Sequence, residues 1–497
     1  MNFKQFVLFL HLIFFRTAYT MESLKEKTAK GLFWGAMNNG TMQILNVLIG
    51  IFLGRLLSPA DYGIVGVLTI FTLIAGNLQS SGFSQALINL NPPTAKDYNS
   101  VFWFNVISSL CIYAVLFLCA PLIADYFHQP CLVSVSRFVF LGFVISSLGI
   151  VQNAYLIKNM MNREIAIINF IALVVSGITG IVLALNKMAY WSLAWQQIVY
   201  ITVMNIGRYY YTRWRPMLHI DFGPVKRMFS FSVKVLITNI INTLSGNILT
   251  LIFGRIFPIK DVGNYTQAYS WNSKASLFLS GTLQQIAQPV LVSLQDDNAR
   301  RCHVFRKLMR FAAFISFPVM LGFSLVSDEF IILTIGRQWT DSIPLLRVLC
   351  LSGAFMPFHT LYQNLALSNG RSDIYMWCNL AQFISLIIVI LLFYQQGMMV
   401  MIEAYTAFTI LWLLVWQYFA HRLIGLRFWD VLKDILPFFL VSMVVMGSTN
   451  FITRPIDNLW LLLICRVAVA GSLYFIIMRI LHAEILNECI RFAKRKL

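Results

Sequence analysis

Apolar runs separated by short polar segments fill this chain from residue 31 to residue 480. Each run is close to the ~20 residues that an α-helix needs to cross the hydrocarbon of a bilayer. In order they fall at 31–54, 62–89, 99–124, 132–156, 165–186, 189–211, 228–254, 263–291, 307–327, 343–368, 373–395, 398–420, 432–451 and 457–480. That makes about 14 spans, with 12 as the alternative count and the ninth and tenth the least clean. The short alternating segments of a transmembrane barrel are missing. The expected fold is an all-α polytopic membrane protein.

One polar interruption occurs twice. Gly54-Arg55-Leu56-Leu57-Ser58-Pro59-Ala60-Asp61-Tyr62-Gly63 closes the first run and opens the second. Shifted by 200 positions without a gap, Gly254-Arg255-Ile256-Phe257-Pro258-Ile259-Lys260-Asp261-Val262-Gly263 closes the seventh and opens the eighth. Gly, Arg, Asp and Gly recur in register and Asn39 pairs with Asn239, while the interchangeable apolar residues drift. The first copy reads as a turn between two membrane helices. Ser58 can cap the second helix, Pro59 suits its first position, and Asp61 stands where a capping box places its acid. Gly54 and Gly63 allow close packing at the membrane surface, as Gly254 and Gly263 do in the second copy. Arg55 and Arg255 admit two readings, shaping the turn or touching a substrate.

Basic residues orient the map. With the amino terminus inside, cytoplasmic segments carry 25 Lys and Arg and the opposite segments 8, an excess that recurs loop after loop and puts both termini in the cytoplasm. Six spans separate the two copies of the turn, an even number, so the first and seventh spans run the same way. The repeat is then parallel, about an axis along the membrane normal. The expected division is a six-helix lobe over 21–215, a second over 216–425, and an extra helix pair with a basic cytoplasmic tail over 426–497. Residues 1–20 are either a weak signal-like or interfacial segment or an upstream extension. The second is preferred, with translation starting at Met21, because Met21-Glu22-Ser23-Leu24-Lys25 reads as a cytoplasmic start.

Composition agrees with the pattern. Hydrophobic residues make up 58% and charged residues 12% of 497 positions, about half the charged share of a soluble domain. The net charge of +18 would suggest a nucleic-acid partner in a soluble protein. Here the charges lie in loops between spans, where topology accounts for them. The eight cysteines form no CxxC and lie in or beside apolar runs, as small buried hydrophobes would. No Walker loop, GxSxG, HExxH or paired carboxylate site is present, so neither enzymatic chemistry nor a cofactor or metal is expected.

Polar groups inside the spans are the candidate site. Lys274 sits near the middle of the eighth span, where a charge is expensive unless it faces a wet cavity or a partner. Lys234 lies nearer a membrane surface, where snorkelling is the alternative to function. Arg466 belongs to the last pair, and its role is open. Asn38 and Asn39 in the first span, Asn239, Asn242 and Asn247 in the seventh, and Asn272 in the eighth either hold helices together or line a hydrated cavity for hydroxyl-rich cargo. Acids are nearly absent from the spans, with Glu403 the main exception, which argues against a carboxylate-based cation pump.

Leu56-Leu57-Ser58-Pro59-Ala60-Asp61-Tyr62-Gly63 followed by Gly82-Phe83-Ser84-Gln85-Ala86-Leu87-Ile88 resembles the start of polysaccharide-export flippases. Leu294-Gln295-Asp296-Asp297, Phe317-Pro318, Gly336-Arg337-Gln338-Trp339 and Ile343-Pro344-Leu345-Leu346 extend the resemblance. The family is the Wzx-like, or lipopolysaccharide-biosynthesis, branch of the multidrug/oligosaccharidyl-lipid/polysaccharide exporter superfamily, and the likeness runs from about Met21 to the twelfth span. It implies export of undecaprenyl-pyrophosphate-linked oligosaccharide across a bacterial inner membrane by alternating access, for O-antigen, capsule or exopolysaccharide. Lys274 and Lys234 would meet the pyrophosphate and the asparagines the sugars. Membrane lipids, a polysaccharide polymerase and chain-length machinery are the partners implied. Rival readings are a drug/cation antiporter of the same superfamily, a peptidoglycan-precursor flippase, and a membrane glycosyltransferase or polymerase.

Overall fold

A computed structural model describes residues 24–89, 93–218, 221–292, 294, 297–482 and 485–486. Its side chains are described from Gly40 onward, apart from stretches within 75–92, 219–245 and 278–296. The amino-terminal segment 1–20 and the carboxy-terminal tail lie outside the described residues. The first half of the chain forms α1 (Leu24–Leu56), α2 (Pro59–Asn89), α3 (Ala95–Tyr126), α4 (Leu132–Ser147), α5 (Ile150–Lys158), α6 (Asn162–Leu185) and α7 (Trp191–Tyr211). The second forms α8 (Gly223–Ile256), α9 (Ile259–Val292), α10 (Asn298–Leu325), α11 (Ser327–Thr334), α12 (Ser342–Ser368), α13 (Ser372–Phe393) and α14 (Met398–Ile424), then α15 (Phe428–Thr453) and α16 (Leu459–Ile480).

Helices are the solution lipid allows, because each closes its own backbone hydrogen bonds. Among the described residues, eight helices are long and apolar enough to cross a membrane, or nine if α4 and α5 form one bent span. Leu118, Leu122, Leu392, Phe451 and Ile464 stand well exposed on these helices, as side chains facing acyl tails would. The chain is a multi-pass membrane protein. Of the spans, α12 is the most enclosed and α16 the least.

The expected fourth span, 132–156, is not one helix. It breaks between α4 and α5 with a bend of 45°. Asn205 of α7 donates its Nδ2 to the Ile145 carbonyl, and its Oδ1 occupies the space a Cβ on Gly149 would need. A side chain inserted into the helical ladder is a sufficient cause of a kink. Sequence reading also passed over α11 and the 3-10 turn Arg337–Trp339, which lie between the ninth and tenth spans.

The same pairings recur in both halves. Helix α1 packs on α6 as α8 does on α13, α3 on α4 as α10 on α12, α4 on α7 as α12 on α14, and α6 on α7 as α13 on α14. Between the halves, α2 packs against both α8 and α9. The last two helices attach to the second half, α15 on α10 and α16 on α15 and α11. Asp434 of α15 receives Arg306 of α10 at 2.6 Å, and Arg466 of α16 donates to Glu329 of α11 at 2.8 Å.

Candidate functional site

The duplicated turn folds as its residues dictate. The Ser58 amide donates to Asp61 Oδ2 at 2.9 Å, and the Asp61 amide to Ser58 Oγ at 3.3 Å, a closed capping box at the start of α2. Arg55 donates through Nε to the Thr334 carbonyl at 2.5 Å and through Nη2 to that of Leu333, satisfying carbonyls at the end of α11. Arg255 does the equivalent at the end of α3, donating to the Tyr126 carbonyl at 2.6 Å and contacting His128. Both arginines have the contacts that shaping a turn requires.

Gln338 and Trp339 complete this junction, and sequence reasoning gave neither a role. Gln338 Nε2 donates to the carbonyls of Gly54 and Leu57 at 2.8 and 3.0 Å, and Trp339 Nε1 to that of Gly54 at 2.7 Å. The fully buried Trp339 ring also meets Tyr62 edge to face at 5.2 Å. Their partners lie more than 280 residues upstream.

At the neighbouring glycines the two copies touch each other. A Cβ on Gly63 would overlap the carbonyl oxygen of Ile259, and one on Gly263 would overlap that of Pro59. Positions 59 and 259, like 63 and 263, differ by the repeat offset. A Cβ on Gly66 would stand 2.7 Å from Thr266 Oγ1, again its own counterpart. Gly263→Ala is therefore expected to force α2 and α9 apart, at about 1–3 kcal/mol for an overpacked contact. Thermal unfolding of the purified protein should show the loss, while Gly447→Ala, in open space on α15, does not lower the midpoint.

Lys274 lies midway along α9. Its Nζ sits 4.2 Å from the centroid of the Trp271 ring, and a Cβ on Gly50 of α1 would come within 3.3 Å of it. Gln43 of α1 donates to the Lys274 carbonyl at 3.2 Å, which ties the two halves together beside the ammonium. Among the described residues no carboxylate forms an ion pair with Lys274. A tryptophan face supports a cation without neutralising it.

Asn272, two residues earlier, turns elsewhere. It is buried with Ser276 against Gly353 of α12, where a Cβ would stand 2.5 Å from Ser276 Oγ and overlap Asn272 Oδ1. The structure therefore does not bring Asn272 and Lys274 onto one surface. The side chains of Asn39, Lys234, Asn239 and Asn242 lie outside the described residues. Asn247 donates to the Thr243 carbonyl of its own helix at 3.0 Å, and Asn77 of α2 reaches Thr243 Oγ1 of α8 at 2.5 Å. Among the described residues, one cavity lies within the second half.

Arg466, whose role was open, is taken up entirely by protein. Besides Glu329 it donates to the Leu325 carbonyl at 3.0 Å and Asn450 Oδ1 at 2.9 Å. Glu329 escaped sequence reasoning because the ninth span was ended at 327.

Comparison with known proteins follows this geometry. The chain is 27% identical over 358 residues to the lipopolysaccharide biosynthesis protein WzxC of Escherichia coli (strain K12), covering 71% of this chain and 72% of that one. It is 23% identical to the succinoglycan biosynthesis transport protein ExoT of Rhizobium meliloti (strain 1021), covering 71% of each. A solved structure of the lipid II flippase MurJ, in an inward closed conformation, is similar with a TM-score of 0.69 at 14% identity, covering 91% of this chain and 99% of that one. At that identity the likeness speaks for the fold. A family model described as polysaccharide biosynthesis protein matches residues 52–344. With that model spanning more than half of its length, this chain belongs to the polysaccharide biosynthesis protein family.

Proposed function

We propose that this protein is a flippase, moving undecaprenyl-pyrophosphate-linked oligosaccharide units from the cytoplasmic to the outer leaflet of a bacterial inner membrane. Sugars and pyrophosphate cannot enter hydrocarbon uncovered, whereas the polyprenyl tail never needs to leave it. A protein that shields only the head group suffices, and the fold shared with MurJ supports that division of labour.

The observation that carries the proposal is Lys274, a cation deep in the membrane region that rests on Trp271 and has no acid partner among the described residues. A charge there is costly unless something anionic visits it, and the pyrophosphate of the proposed cargo would be that group. In this proposal Lys234 and the asparagines Asn39, Asn239 and Asn242 take part in holding the head group as well. Asn272 supports this site from behind through α12. In this reading α4 and α5 form one span, and α1, α2, α3, α6, α7, α8, α9, α10, α12, α13, α14, α15 and α16 bring the total to fourteen.

Spans one to six and seven to twelve form two lobes over 21–215 and 216–425, supported by the recurring helix pairings. The pair within 426–497 is an addition braced against the second lobe, and both termini face the cytoplasm, as the basic-residue excess favours. Rocking of the lobes alternates access to the head group. A polysaccharide polymerase and its chain-length machinery would receive the product.

A carboxylate-coupled drug antiporter has less support. Of the buried acids among the described residues, Glu329 and Asp434 are taken up by arginines, Arg466 and Arg306, and Asp97 by the capping box it forms with Thr94. The test is reconstitution of the full chain in proteoliposomes with lipid-linked repeat unit extracted from the host. Transport makes the unit accessible to a membrane-impermeant glycosidase on the far side. A rate equal to that of protein-free vesicles would overturn the proposal.

A further inference from the structure

Among the described residues, a partly open cavity of about 180 Å³ lies in the second half between α8, α9, α12, α13 and α14. That is room for about one small ring, since drug-sized pockets run to ~300–1,000 Å³. Tyr269, Phe383 and Tyr405 give it aromatic walls, and His359, Gln363 and Gln382 its polar groups. None of the ten residues lining it carries a carboxylate or a permanent cation, so it is built for a neutral ligand.

Its hydrogen-bonding groups are only partly used by the protein. Gln363 Nε2 donates to Asn379 Oδ1 at 3.3 Å, which leaves its carbonyl oxygen available. Gln382 makes no hydrogen bond among the described residues. His359 Nε2 lies 3.0 Å from the Thr409 carbonyl, so it carries the proton and leaves Nδ1 as an acceptor. Carboxamides both donate and accept, which matches a hydroxyl group, itself donor and acceptor. Aromatic rings offer apolar faces to C–H groups, and the pocket combines both kinds of surface.

We infer that this cavity is a carbohydrate subsite that holds one sugar ring of the cargo and so sets which oligosaccharide is carried. The inference rests on the flippase reading above and adds to it the residues that select the sugar. Tyr269 stands five residues toward the start of α9 from Lys274, about 7.5 Å along the helix axis. Five residues also turn the helix by about 140°, so the cavity opens on another face of α9 from Lys274, and a sugar further along the oligosaccharide, not the one bonded to the pyrophosphate, is the ring that Gln363 and Gln382 meet.

The experiment compares two substrates in proteoliposomes holding the full chain or its Gln363→Leu/Gln382→Leu variant. One is the lipid-linked repeat unit extracted from the host, the other undecaprenyl pyrophosphate bearing a single sugar. Losing hydrogen bonds to a hydroxyl-rich ligand is expected to lower the ratio of the first rate to the second about tenfold. Size-exclusion profiles of both proteins establish that equal amounts of folded material are compared. An unchanged ratio, whether both rates fall together or neither falls, overturns the subsite. If the unsubstituted protein moves neither lipid, the flippase reading fails and the subsite with it.

Discussion

Lys274→Ala is expected to abolish transport of lipid-linked oligosaccharide while leaving the protein inserted and abundant. Lys274 is held by an aromatic face and by the close approach of α1, so its removal breaks no ion pair among the described residues. What it removes is the charge that the proposed function assigns to a pyrophosphate. Truncating one partner of a desolvated charge pair costs roughly 2–5 kcal/mol. At about 1.4 kcal/mol per tenfold, that is on the order of a hundredfold or more in rate. The measurement is the transport rate of reconstituted variant and parent at equal protein content. Parental rates from the alanine variant would refute the role of the cation and leave the fold untouched. Lys274→Arg keeps the charge and should retain part of the flux.

The second large effect concerns stability. Arg466→Leu strands Glu329, whose side chain is 3% exposed in a setting built around the guanidinium. Breaking a buried pair on one side costs about 3–5 kcal/mol, because the remaining charge is left uncompensated. The variant should lose abundance in the membrane and unfold at a clearly lower temperature in detergent. Arg466→Leu combined with Glu329→Leu should recover most of the loss, since replacing both charges by apolar groups is often neutral. Failure of the double variant to recover would mean that Arg466 acts chiefly through Asn450 and the Leu325 carbonyl. Transport per folded molecule should be the same in parent and double variant, as Arg466 lies in an appended helix, Glu329 on α11, and neither is among the residues proposed to hold the cargo.

Much of the architecture could be read from the chain because lipid imposes one rule on every span. The order of the helices, the capped turn at Ser58 and the close approach at Gly54 and Gly63 follow from local chemistry that a window of ten residues contains. Departures arise where a distant side chain intervenes. The break between α4 and α5 depends on Asn205, which lies 60 residues from the carbonyl it captures. Glu329 finds its arginine 137 residues away, and Gln338 finds Gly54 across 284. Lys274 was legible because a lone charge in an apolar run has few explanations. Gln363, Gln382 and His359 lie in apolar runs too, but an amide there reads equally well as a tie between helices. Only the fold reveals that these three converge on one space.

The contact between Gly63 and Gly263 also bears on why two segments 200 residues apart still resemble each other. Each copy forms the immediate surroundings of its twin there, backbone against backbone. A bulkier residue in either one is felt at once by the other, so neither can diverge alone. Elsewhere each half borders lipid, its own helices or unlike segments of the other half, as Gly54 does Gln338. The likeness of the two segments persists where they lean on each other.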